Sequence, residues 1–498
     1  MKAQDIAALT LPLFVACAGA PSLPHAAVGR EHGHAVRPPE SSLSVTAPAS
    51  RPTEAPPAVI AALTVAGLGS RHAAEIVQSL TDEVGPRLAG SPGDKAAVAW
   101  ALRALRFEGL SNVHAEPVRV PHWERGVESG SLVVPFAQKL ILTALGGSVG
   151  TTPGGIEGEV VEVPSLEALD ALAPSALEGK IVFIDSRTER TRDGSGYETA
   201  VGARSRGGTR AASRGAIAVV IRSIGTDTDR LPHTGNMRRA EPGAREIPAA
   251  ALSNPDADLL HRILSSNKTA RLRLTLGCRW LADADSANVI GELLGSTRAE
   301  EVVVLGAHLD SWDLGTGAVD DAAGVGIVME AARLLRSSGL RPSRTLRIVL
   351  FANEENGLAG AKAYAKAHAL ELPRHVLALE ADTGTGRAFE ASFLGAAERR
   401  DAYVALVTPL AALNIARSDR DSGGGADLIP LRAAGVPAIS IWQDTSRYFD
   451  VHHSANDTFD KIDREALAQV ATAFALVAQG ALSMEGDLGR IPDSRRQN

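Results

Sequence analysis

In the C-terminal half of this 498-residue chain, histidines and carboxylates recur just beyond short apolar runs. Gly306-Ala307-His308-Leu309-Asp310 follows Val302 to Leu305, and Asn353-Glu354-Glu355 follows the run ending at Ala352. Glu380-Ala381-Asp382 follows Val376 to Leu379, a loop to His452-His453-Ser454 follows Ile441, and Asp320-Asp321 opens a helical stretch. Imidazole and carboxylate without thiolate suit zinc, or a similar divalent ion, in a hydrolytic site. One histidine and one carboxylate per ion, plus a shared carboxylate, would hold two ions about 3.5–4 Å apart. Asp320 suits the shared position, because the turn ahead of its helix can present a short carboxylate inward. Asp310, two residues beyond His308, fits the carboxylate that orients a ligating imidazole. Of Glu354 and Glu355, one can bind metal while the other acts as general base. Spacing alone leaves the choice between His452 and His453 open. Taking the glutamate pair out of water is costly, so a counter-cation is expected beside it.

Such residues need a scaffold that gathers strand ends. Runs that are apolar at every position indicate strands buried on both faces, hence a largely parallel sheet covered by helices. Helical spacing appears over Ala322 to Leu335, Leu358 to Ala369 and Ala402 to Leu413, and earlier over Ala73 to Leu80 and Ala96 to Leu105. In open α/β sheets ligands bind beyond the carboxyl ends of the strands, where these side chains fall. Between about Gly130 and Gly277 the texture changes to short apolar runs, such as Ile181 to Ile184 and Ala216 to Ile221, between long Gly/Arg loops. That pattern predicts a small β-rich module.

The ends and the composition bound the rest. Residues 1–20 carry Lys2, an apolar stretch and Ala18-Gly19-Ala20, the form of a secretory signal peptide. Leu13-Phe14-Val15-Ala16-Cys17 also reads as a bacterial lipoprotein box, with Cys17 as the acylated residue and the one route to membrane attachment. Either reading makes the protein exported, periplasmic or extracellular. Residues 21–57 read as a disordered linker. A net charge of −7 argues against nucleic acid as a partner. With only Cys17 and Cys278, no disulfide framework or thiolate zinc site is available.

The motifs Gly-Ala-His308-x-Asp310-Ser, Val-Asp320-Asp321-Ala-Ala-Gly324, Asn-Glu354-Glu355-x-Gly357 and His453-Ser-x-x-Asp457-Thr458 resemble the co-catalytic di-zinc aminopeptidase/carboxypeptidase superfamily. The stretch from Leu80 to Gly93, with Tyr448-Phe449-Asp450-Val451-His452-His453, is similar to its plasma glutamate carboxypeptidase branch. The resemblance implies two zinc ions per chain, with His308 and Asp382 on one, Glu355 and His453 on the other, Asp320 bridging and Glu354 as the base. His452 and Tyr448 are then placed for oxyanion or substrate contacts. It further implies a three-layer α/β/α peptidase domain with a mainly parallel, mixed sheet, split over 58–129 and 281–485. A protease-associated domain is inserted at 130–280, and 486–498 is a tail. The implied activity is hydrolysis of short peptides or dipeptides in a carboxypeptidase-like or dipeptidase-like way, by a homodimer. An aminopeptidase on the same site, and a non-catalytic binding protein on the same fold, are the alternatives. A serine hydrolase is a further reading, because Gly146-Gly147-Ser148-Val149-Gly150 matches a nucleophile elbow; Thr151-Thr152-Pro153 after it does not start a helix cleanly.

Overall fold

The computed structural model describes residues 57–496. The expected export segment, Cys17 and all but the last residue of the expected linker lie outside the described residues. A mixed α/β fold is built on two eight-stranded sheets and a two-stranded ribbon.

The first sheet runs in the order Ser111–Val120, Ala284–Leu293, Arg344–Phe351, Arg298–His308, His375–Glu380, Ala438–Gln443, Ala388–Leu394, Ala416–Arg417. Arg298–His308 has parallel partners on both sides, and His375–Glu380 is parallel to Ala438–Gln443. Antiparallel strands join at either side of this centre. Successive side chains of a strand enter opposite layers. Thus Val303, Leu305 and Ala307 join a core shared with helices His72–Glu83, Ala323–Ser337 and Arg464–Ser483. Val302 and Val304 join another, with Tyr364 of helix Ala359–Ala367 and Leu431 of helix Ile429–Ala433. Burial on both faces is why these strands read as unbroken apolar runs.

Helix Arg464–Ser483 is buried along nearly its whole length and apolar on most of its faces, as a helix sunk in a core should be. It is long and apolar enough to cross a membrane, yet 89% of its apolar window is buried inside the fold. Residues beyond 485, expected as a tail, also pack. Leu488 and Ile491 are buried, and Arg490 donates to the carbonyls of Leu372, His375 and Ala434.

The chain leaves the first sheet after Val120 and re-enters it at Ala284. In between, strands from Glu128–Val134 to Arg271–Leu276 make the second sheet, whose middle strands Ile156–Val163, Ile181–Ile184, Ala218–Arg222 and Ala249–Leu252 are parallel. This module is less purely β than its sequence suggests. The Gly/Arg-rich stretch forms the 18-residue helix Ser195–Ala212. Helix propensity is poor there, but Ala200, Ala203, Gly207 and Ala211 make a buried stripe. A Cβ on Gly207 would lie 2.7 Å from Ile184 Cδ1, so glycine lets this helix press onto the sheet.

Candidate active site

The parallel strands deliver the expected residues to one edge. His308 ends its strand, Glu354 and Glu355 lie in the turn after Phe351, and Asp382 follows the strand ending at Glu380. Asp320 sits in a kinked turn ahead of helix Ala323–Ser337. Its carboxylate is central. Oδ1 lies 3.0 Å from His308 Nε2, and Oδ2 lies 3.2 Å from His453 Nε2. His308 Nε2 is also 3.4 Å from Asp382 Oδ1, and His453 Nε2 is 2.9 Å from Glu355 Oε2. Each imidazole therefore faces the shared carboxylate and one carboxylate of its own. His452 stacks on His453 at 3.6 Å between centroids, but its Nε2 reaches only Asp320, at 3.5 Å. Two overlapping groups could hold a metal ion here: His308, Asp320 and Asp382; and Asp320, His452 and His453.

The supports of this cluster are polar and buried. Asp457 accepts the amide N–H groups of Val319 and Asp320 at 2.6 and 3.2 Å, fixing the turn that carries the central carboxylate. His308 Nδ1 meets the Asp310 carbonyl at 3.0 Å, whereas the Asp310 carboxylate stands 3.8 Å away and accepts the Glu354 amide. The Asp310 side chain thus braces the glutamate turn, and its main chain orients the imidazole. Arg87, fully buried, donates to the carbonyls of Leu309, Thr316 and Gly317, tying together the loops on either side.

Electrostatics make the cluster an anionic cage. Burial, with repulsion from Asp382 and Glu355, raises the Glu354 carboxyl well above its ordinary range. Burial and the nearby Asp320 do the same to Glu355. Asp320 is also buried, but hydrogen bonds from His308 and His453 outweigh that and hold it well below. Glu355 Oε1, Asp310 Oδ2 and His452 Nδ1 are buried without a hydrogen-bond partner. No lysine or arginine pairs with Glu354 or Glu355 among the described residues, so the expected counter-cation is not a neighbouring side chain. The donor set and its orphaned oxygens fit divalent cations.

Some sequence readings resolve differently. Ser148 is buried, donates to the Val149 carbonyl and accepts the Ala249 amide at 2.9 Å each, so it is no exposed nucleophile. The run Gly423-Gly424-Gly425 approaches Glu380, where a Cβ on Gly425 would lie 2.3 Å from Oε2. His233 is buried in the second-sheet module. Its Nδ1–H donates to the His452 carbonyl at 2.6 Å, and Nε2 meets Asp227 Oδ2 at 2.6 Å. Thr234 N–H donates to the His453 carbonyl at 2.9 Å, while His453 holds φ +59°. Arg204, on the helix Ser195–Ala212, places Nη1 3.4 Å from His453 Nδ1 and Nη2 2.5 Å from the Tyr197 hydroxyl. Nothing in the spacing of Arg204 or His233 marks them out. Their roles arise only where the module meets the first sheet.

A mixed α/β sheet with an imidazole–carboxylate cage at its carboxyl edge, and a glutamate free of side-chain partners above it, defines a metal-dependent hydrolase. The chain belongs to peptidase family M28, whose sequence profile matches residues 288–478. Carboxypeptidase Q from Mus musculus is 37% identical over 428 residues, covering 86% of this chain and 89% of that protein. Aminopeptidase YwaD from Bacillus subtilis is 25% identical over 429 residues, covering 84% and 86%. The solved structure of a peptidase M28 precursor from Shewanella amazonensis SB2B is 45% identical, with a TM-score of 0.85 over 87% of this chain and 98% of that one.

Proposed function

We propose that the protein is a di-zinc exopeptidase acting on short peptides, as a dipeptidase or carboxypeptidase, and that the strand-edge cluster is its active site. In this reading His308 and Asp382 hold one ion, Glu355 and His453 the other, and Asp320 bridges them. The observation that carries it is the convergence of two imidazoles on opposite oxygens of one buried aspartate, each with a second carboxylate beside it. His453 is preferred to His452 because Glu355 and Asp320 both meet its Nε2. Residues 130–280 are read as a protease-associated-like insert that roofs the site.

Bound there, the ions supply Lewis-acid polarisation of the scissile carbonyl and acidify the attacking water. Glu354 lines the cavity over the cluster and takes the water's proton, later returning it to the leaving nitrogen. Burial, with the carboxylates Asp320 and Asp382, pushes the Tyr448 hydroxyl well up, so it stays a proton donor for the oxygen that gains charge. His452, its Nδ1 unpartnered, is the second candidate for that contact. The alternative, an aminopeptidase on the same site, rests on the likeness to YwaD.

Glu354→Gln should retain metal on elemental analysis while losing about 100-fold or more in turnover of unblocked dipeptides, the scale of general base catalysis. Wild-type rates in that variant would remove Glu354 from the reaction. Full activity after exhaustive chelation would remove the metal.

A further inference from the structure

Away from the strand-edge cluster, one other group among the described residues brings a histidine together with two carboxylates. Glu162, Asp185 and His261 each offer a ligand atom, and the three atoms lie within 4.8 Å of one another. Their meeting follows from the register of the second sheet. Glu162, on strand Ile156–Val163, pairs in parallel with Phe183. Asp185 lies just beyond strand Ile181–Ile184, and its amide donates to the Val163 carbonyl at 2.9 Å. Alternation along a strand puts Phe183 and Asp185 on one face. Phe183 shares its core with Ala257 and Leu260, so that face is the one helix Asn254–Ser265 covers. His261, next to Leu260, therefore arrives over the carboxyl ends of two parallel strands, the edge where open α/β sheets take ligands.

The donor atoms converge, and each has support. His261 Nδ1 is 2.6 Å from Glu162 Oε1 and 3.4 Å from Asp185 Oδ2. Asp185 is 8% exposed, and its Oδ1 accepts the Arg222 Nε–H at 2.6 Å. That bond fixes the carboxylate with Oδ2, which accepts no hydrogen bond among the described residues, toward the imidazole. Arg187 Nη2 stands 3.7 Å from this oxygen but 3.0 Å from Asp258 Oδ1, so its pairing is with Asp258. With His261 neutral, the carboxylates of Glu162, Asp185 and Asp258 outnumber the guanidiniums of Arg187 and Arg222. The group carries an excess negative charge. On the other ring nitrogen, His261 Nε2 lies 3.4 Å from Ser265 Oγ. A histidine that binds metal through Nδ1 keeps its proton on Nε2 and needs an acceptor there, which a hydroxyl supplies.

We propose that Glu162, Asp185 and His261 hold a further divalent cation, separate from the strand-edge cluster. An imidazole with two carboxylates is a donor set for zinc, whereas calcium and magnesium take oxygen ligands. Solvent completes the coordination on the open side, where the His261 side chain is 41% exposed. The ion ties helix Asn254–Ser265 to two strand ends of the second-sheet module. It takes no part in hydrolysis, so the site is independent of the exopeptidase reading.

The test counts zinc in the full chain by elemental analysis after dialysis against buffered micromolar zinc. His261→Ala and Glu162→Gln should each bind one equivalent fewer than the wild type, with turnover of unblocked dipeptides unchanged. Asp185 is left intact, because Arg222 is buried against it. Crystals of the zinc-loaded wild type should show an anomalous peak at the zinc edge between the three side chains, and this readout does not depend on how the variants fold. Equal zinc counts in the wild type and both variants overturn the inference. So does a peak that is missing, or that needs millimolar zinc, and the group is then an ion pair and nothing more. A wild-type chain that shows the peak but cleaves no dipeptide keeps this site while removing the exopeptidase reading.

Discussion

Asp320 shows how much one side chain can be asked to do. It is buried, yet hydrogen bonds from His308 and His453 keep it ionised, while Glu354 and Glu355 nearby are driven toward protonation. A carboxylate with an imidazole on each oxygen is ready to be shared between two cations. Away from the site, His375 makes a separate acid-base element. It starts its strand, at the end opposite the cluster, with Nε2 2.8 Å from the Tyr364 hydroxyl. Burial holds its pKa down at about 4, against an ordinary 6.5. The unfolded chain therefore takes up a proton that the folded chain refuses between those values. Stability present above pH 6.5 is lost as pH falls toward 4, by about 3 kcal/mol. Denaturant midpoints should track this, and the gap between wild type and His375→Gln should narrow over that window. A gap that stays constant with pH would show that His375 titrates normally.

At the level of elements, the loop Tyr448 to His453 depends on the module packed against it. Thr226 N–H donates to the Phe449 carbonyl at 2.9 Å, Arg190 pairs with Asp450 at 2.5 Å, and His233 and Thr234 hold the carbonyls of His452 and His453. His453 keeps a left-handed backbone that a non-glycine residue adopts only when its surroundings require it. Loosening one clasp should therefore be felt at the metal. His233→Ala is expected to keep its circular dichroism spectrum but lose about 10- to 100-fold in zinc affinity, the usual cost of a lost outer contact. Competition with a chromophoric chelator reads this directly, and an unchanged affinity would make His233 a packing residue. The strands behind the site were legible from their apolar runs, because burial on both faces leaves an unbroken pattern. Helix Ser195–Ala212 was not, because its stability comes from small residues meeting the sheet rather than from any property of the segment.

For the molecule as a whole, the cage is a stability problem that a cation solves. Buried carboxyl groups crowd around two imidazoles with no lysine or arginine paired to Glu354, Glu355 or Asp382 among the described residues. A cation that binds only the folded chain at a thousand times its dissociation constant adds about 4 kcal/mol. Chelation should lower the thermal midpoint by several degrees, and added zinc should restore it. A midpoint indifferent to chelator would mean that the cage tolerates its own charge. From the sequence alone come the ligand types, the strand ends that carry them and the absence of thiolate, since these depend on residue identity and local period. The bracing by Arg87 and Asp457, and the arrival of Arg204 and His233, came only from tertiary structure. Those depend on contacts between segments more than 200 residues apart, such as Arg204 with His453 and Arg87 with Leu309, and no local pattern records which distant surfaces will meet.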